Sequence, residues 1–127
     1  SSDHYFRIYF RCERGKEKVE KVLKQHGMLG EAGPLWLGKL WDATLAKKIA
    51  KVLDTTMTNT IADEAKLNAV GFYDTHVLAK QLKVALPKMD AILKTLRKKG
   101  HKATRTHFSG YGLRTDADEK AVKKSMK

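Results

Sequence analysis

The stretch from Asp74 to Asp116 constrains this chain most, because it fixes an order of elements rather than a single one. Asp74 stands where a carboxylate can cap a helix over 75–83 that buries Val77, Leu78 and Leu82. After the short turn KVAL, Pro87 suits the first position of a second helix, 87–99. Met89, Ile92, Leu93 and Leu96 recur there at helical spacing and predict its inward stripe. Gly100 ends it. HKATRTHF then reads as a strand, SGYG as a tight turn and LRTD as the return strand. Helix, short turn, basic helix and β-hairpin is the order of a winged helix-turn-helix.

The rest of the chain predicts a mixed α+β fold. Residues 4–12, HYFRIYFRC, alternate with period two, as a half-buried strand does. His4, Phe6, Ile8, Phe10 and Cys12 face the core, and Tyr5, Arg7, Tyr9 and Arg11 face outward. A helix follows over 16–26, with Val19, Val22, Leu23 and His26 on its stripe and Gly27 to stop it. The four glycines of 27-GMLGEAGPLWLG-38 make its start read as a flexible connection. Gly33-Pro34 reads as a turn, and LWLG as a short extended piece. Trp36 and Trp41 are most simply packing residues. Asp42 caps a predicted helix over about 43–53 with Leu45, Ile49, Val52 and Leu53 inward. TTMTNT reads as a polar connection, and a weaker helix covers about 60–69. Its Asp63 and Glu64 read as first-turn structural carboxylates. A chain of 127 residues fits one domain, divided into a strand–helix–extended segment (1–42) and a helical, winged-helix-like segment (43–127).

Charge decides which chemistry is favoured. Lys88, Lys94, Arg97, Lys98, Lys99, Lys102, Arg105 and Arg114 oppose only Asp90 between residues 88 and 114, in a chain of net charge +12. A basic run that continues from a helix into a hairpin, with Tyr111 at the turn, is the electrostatic footprint of nucleic-acid binding. Arg7 and Arg11 extend that surface if the opening strand lies nearby. The catalytic alternatives are weaker. Gly110-x-Gly112 does not open a helix and is not a phosphate loop. His101 and His107 share a strand face but lie too far apart for one metal. The single cysteine, Cys12, excludes an internal disulfide and a cysteine-based zinc site. No apolar run approaches the ~18 residues of a membrane span, and SSDHYF lacks the basic-then-apolar start of a signal peptide.

GPLWLGKLWD (33–42), FYDTHVLAKQLKV (72–84) and PKMDAILKTLRKKGHKATRTHFSGYGLRTDA (87–117) together resemble the C-terminal domain of the tRNA guanine-26 N2-dimethyltransferases. The opening HYFRIYFRCERG resembles the start of that domain. The resemblance implies a ferredoxin-like mixed or antiparallel sheet joined to the winged-helix-like segment. It also implies a tRNA-engaging accessory part of an S-adenosylmethionine-dependent enzyme, cytoplasmic in an archaeal-like cell or nuclear in a eukaryotic one. In that family a separate N-terminal domain handles the methyl donor and the target guanine. This chain shows no glycine-rich donor loop and no Asp-Pro-Phe-type motif, so it is expected to bind no cofactor or metal and to be non-catalytic alone. Relatives often carry a four-cysteine metal-binding insertion where this chain has HGMLGEAG. Either this member lacks it, or a short link bridges its place.

The expected partners are tRNA and an N-terminal methyltransferase domain, and no membrane. Lys88, Lys94, Lys98, Lys99, Lys102, Arg105, His107, Tyr111, Arg114, Arg7 and Arg11 are the expected RNA-contacting residues. The competing reading is a protein-interaction module that docks a catalytic domain through the Trp36/Trp41 segment.

Overall fold

The chain divides into two compact units, Ser1–Gly38 and Lys39–Lys127. The computed structural model describes residues 12–127, so the strand expected over 4–12, with Arg7 and Arg11, lies outside the described residues apart from Cys12. The described elements make a mixed α+β architecture of six helices and small antiparallel sheets.

In the first unit, α1 (Lys16–Leu23) carries Val19, Val22 and Leu23, none of them buried. It ends earlier than the periodicity predicts, and His26 opens a strand instead of closing the helix. The glycine-rich stretch is not a flexible connection. β1 (His26–Leu29) and β2 (Ala32–Trp36) pair antiparallel, with His26 opposite Trp36. Gly30 makes the reversal possible, since its φ of 61° lies in the left-handed region that favours glycine. The rings of His26 and Trp36 meet edge to face at 5.2 Å.

In the second unit, α2 (Ala43–Leu53) begins where Asp42 accepts hydrogen bonds from the amides of Thr44 and Leu45. Those two bonds, the Leu45 bond foremost, hold the Asp42 carboxyl below its usual range, and Lys39 and Lys48 assist. The predicted stripe does not face inward. Leu45, Ile49, Val52 and Leu53 are exposed, and Ala46 and Ala50 are the buried positions. α3 (Thr56–Glu64) starts inside TTMTNT rather than after it. Thr55 and Thr58 exchange side-chain and backbone bonds in a capping box, which turns the polar stretch into a helix start. Glu64 therefore sits in the last turn, not the first.

The remaining elements form the core. β3 (Tyr73–Asp74) leads into α4 (Thr75–Leu82), which Asp74 caps through the amides of His76 and Val77. α5 (Met89–Lys98) buries Met89, Ile92, Leu93 and Leu96, the four residues its periodicity names. In α4, Leu78 and Ala79 are buried, whereas Val77 is exposed. β4 (Ala103–Arg105) and β5 (Gly112–Thr115) make the hairpin, and β5 lies central in the antiparallel order β3-β5-β4. A sixth helix that the sequence reading lacked, α6 (Glu119–Ser125), is capped by Asp118 and buries Val122.

Ile92, Leu96, Leu113 and Val122 are fully buried at the centre of one cluster joining these pieces. Tyr73 packs on its edge and donates its hydroxyl to the carbonyl of Ala117. Partial burial pushes its phenol up, and the carboxylates of Glu119 and Asp118 push the same way.

Candidate nucleic-acid interface

An amphipathic helix with one buried stripe must turn its other residues to solvent. In α5 those are Lys94, Arg97 and Lys98, with Lys88 and Lys99 at its two ends, all exposed. Two bonds clamp β4 alongside it. The Arg97 guanidinium donates to the Ala103 carbonyl from Nη2 (2.7 Å) and Nε (3.1 Å). At the other end, Arg105 Nη2 donates to Asp90 Oδ1 at 2.9 Å. β4 is the edge strand of its sheet, so Lys102 and Arg105 extend the lysine face of α5 as one basic ribbon.

The ribbon is anchored at its base. The Lys102 amide donates to Asp116 Oδ1, and its carbonyl accepts from the Thr115 hydroxyl. That fixes the backbone while the ammonium stays in water. Beside it opens a groove of about 420 Å³, which Lys66, Arg97 and Lys102 line together with Asp63. Asp63 is already paired with Lys66 at 2.7 Å. Local sequence patterns gave no reason to put Lys66, on the segment after α3, beside Lys102.

His107 and Arg114 have a different role from the surface cations. Glu64 is fully buried. His107 Nδ1 lies 2.5 Å from Glu64 Oε2, and its backbone amide lies 3.3 Å from the same oxygen. Arg114 Nε lies 3.2 Å from Oε1. That contact is an ion pair rather than an aligned hydrogen bond, because neither atom has a hydrogen-bond partner. Arg114 Nη1 donates instead to the Ala69 carbonyl. Arg114 is only 6% exposed, so its charge is spent inside the fold, whereas the sequence reading placed it on the outer surface of the wing. The rings of Trp41 and Phe108 each meet His107 edge to face, which seals the knot. The structure thus leaves Lys88, Lys94, Lys98, Lys99, Lys102 and Arg105 exposed to solvent, with Tyr111 exposed at the hairpin tip. It turns Arg114 inward, and His107 half-inward.

Trp36 and Trp41 are each partly buried, within the first and second unit respectively. Among the described residues no cluster of three His, Cys, Asp or Glu side chains could hold a metal ion, and no helix is long and apolar enough to cross a membrane. The described strand pairings are all antiparallel, and none feeds a helix through a glycine-rich turn.

Comparison with known proteins places this arrangement. Residues 27–127 match the family described as N2,N2-dimethylguanosine tRNA methyltransferase. The chain is 32% identical to the tRNA (guanine(26)-N(2))-dimethyltransferase of Methanocaldococcus jannaschii, with 96% of this chain and 40% of the relative aligned. It is also 32% identical to the enzyme of the same name from Thermococcus kodakarensis, over 98% of this chain and 40% of that one. Among solved structures it is similar to Trm1 from Pyrococcus horikoshii, determined in complex with S-adenosyl-L-methionine. There the TM-score is 0.67 and the identity 32%, covering 80% of this chain and 30% of that one. The chain spans about 40% of the length of the curated relatives it matches. It belongs to the N2,N2-dimethylguanosine tRNA methyltransferase family.

Proposed function

We propose that this chain is the tRNA-gripping part of an S-adenosylmethionine-dependent tRNA guanine-26 N2-dimethyltransferase. The donor and the reacting guanine are handled by the portion of the enzyme that the chain does not span. The observation that carries the reading is the continuous ribbon of exposed cations along α5 and β4. Lys88, Lys94, Lys98, Lys99, Lys102 and Arg105 meet phosphates. Arg105 changes partner at little cost, because its bond to exposed Asp90 is a surface ion pair worth about 0–1 kcal/mol. Arg7 and Arg11 belong to the same proposed set of RNA contacts. In this reading α4, α5 and the β4–β5 hairpin serve as a winged-helix-like element of a fold that also has a ferredoxin-like sheet. Positioning of tRNA is by shape and phosphate contact, and specificity by base edges is secondary.

The relatives named above are archaeal, and a cytoplasmic site of action, or a nuclear one in a eukaryotic cell, goes with this reading. The test is a binding titration of a tRNA transcript against this chain and its Lys94→Gln/Lys98→Gln/Lys102→Gln/Arg105→Gln variant. The variant is expected to bind at least ten-fold more weakly at moderate salt. Unchanged affinity would remove the ribbon from the interface.

A further inference from the structure

The hairpin tip carries a second feature that phosphate binding does not use. Phe108 and Tyr111, on either side of the turn, are each 51% exposed, and Phe72 is 49% exposed. They stand in two pairs. Phe72 and Phe108 meet at 5.0 Å with planes 81° apart, and Tyr111 lies over His76 at 5.3 Å with planes 27° apart. An edge-to-face pair leaves ring faces open to a third partner.

The backbone beneath the rings is held rigidly. The Tyr111 carbonyl accepts from both the amide and the hydroxyl of Thr75, and its amide donates to Ser109 Oγ. The Ser109 carbonyl accepts from the Thr106 hydroxyl and from the Gly112 amide. Thr75 and Thr106 are buried, and a Cβ on Gly112 would collide with the Thr106 hydroxyl. The tip is therefore pre-organised, and a ligand stacking on it need not order it first.

Two open grooves flank the tip. One of about 480 Å³ runs past Phe108, His107, Thr56 and Thr60, and one of about 420 Å³ runs past Tyr111 and Lys88. Arg105 lines both, and the single carboxylate among the lining residues, Asp90, is already bound to it. Flat apolar rings, hydroxyls and a cation suit a nucleobase, which has two π-faces and polar edges. An apolar protein segment would bury the exposed Arg105–Asp90 ion pair and offer it no polar group in exchange.

We propose that the hairpin tip is a stacking site for unpaired nucleobases, Phe108 with Phe72 on one side and Tyr111 with His76 on the other. The proposal rests on the nucleic-acid reading of the basic ribbon and specifies what that ribbon delivers. Bases within a duplex are stacked on one another, so the rings reach only bases in loops, bulges or ends.

The test uses this chain, a short unstructured oligoribonucleotide and a blunt duplex containing the same strand. Phe108→Leu and Tyr111→Leu each alter an exposed side chain, and unchanged thermal unfolding confirms that the variants fold. Each is expected to weaken binding of the unpaired strand about ten-fold, with duplex binding and the salt dependence of both unchanged. Lys94→Gln/Lys98→Gln, in contrast, should weaken both RNAs and reduce both salt slopes.

Stacking is overturned if the ring variants weaken both RNAs equally. It is also overturned if they weaken neither while the lysine variant still does; the basic ribbon then stands alone. If the ring variants bind RNA normally but lose association with the rest of a full-length relative, the patch is a protein contact and the proposal falls. If the unaltered chain binds neither RNA, the nucleic-acid reading itself fails and stacking fails with it.

Discussion

Glu64 offers the sharpest test of how the β4–β5 hairpin is held. Glu64→Gln keeps the side chain's size and leaves an oxygen for the His107 amide, but it removes the carboxylate that pairs with Arg114. Arg114 is 6% exposed, and its guanidinium is also tied to the Ala69 carbonyl. Removing one partner of a buried ion pair costs about 3–5 kcal/mol, because the surviving charge is left uncompensated in a poorly solvating interior. A domain's total stability is about 5–15 kcal/mol, so the variant should lose a large share of it. Urea unfolding followed by circular dichroism reads this directly, as a fall in midpoint at unchanged slope. The companion variant Glu64→Gln/Arg114→Met removes both charges, keeps the oxygen for the His107 amide and should recover most of the loss. A cost below about 1 kcal/mol for Glu64→Gln, or a double variant as unstable as the single one, would refute the buried pair.

Three further outcomes follow from the same packing. Gly112→Ala should destabilise by about 1–3 kcal/mol by thermal unfolding, since its Cβ meets buried Thr106, and Gly112→Ala/Thr106→Ala should recover part of that. Because the folded-state pKa of Tyr73 is raised, its contribution is fully present below the unfolded value near 10 and is lost as pH rises above it. Tyr73→Phe should therefore flatten the alkaline limb of a stability–pH curve. Asp42 has the opposite sign. Its lowered pKa gives stability above the unfolded value near 3.8 that is lost as pH falls below it, and Asp42→Asn should reduce that acid dependence.

How far the sequence could be read differs between elements for physical reasons. α5 was legible because its four buried side chains are large, apolar and at helical spacing, so hydropathy alone marks the inward face. The same reasoning placed α2 but misassigned its face. α2 packs closely against α3, and its buried positions are Ala46 and Ala50 while its leucines stay exposed. Hydropathy ranks side-chain size and cannot see that a close approach between helices selects small residues. The β1–β2 hairpin was hidden because glycines signal both a linker and a tight reversal. α3 was hidden because threonines read as a connection until Thr55 and Thr58 are seen to cap each other. α6 was hidden because Val122 is its one buried residue, although Asp118 caps it.

The exposed basic face was legible where it depends on local pattern. A basic solvent face on α5 follows from its inward stripe, and Lys102 and Arg105 follow in sequence. Arg114 was not, because alternation along β5 sets its direction but not what covers it. Its partner Glu64 is 50 residues away on α3, and all four residues of β5 are buried. The aromatic pairs were hidden for the same reason, since Phe72 and His76 reach the hairpin tip only through the β3–β5 pairing.

The most direct test of the central claim is the slope of log affinity against log salt for this chain and a tRNA transcript. Six cations form the ribbon, and each phosphate neutralised contributes just under one unit on duplex nucleic acid and somewhat less on single strands. If about four to six of them make contact, the slope should be about −3 to −5, and it should shrink by about one for each of Lys94, Lys98 and Lys102 changed to glutamine. A slope near zero, or one that these substitutions leave unmoved, would contradict the assignment of the α5–β4 ribbon to tRNA.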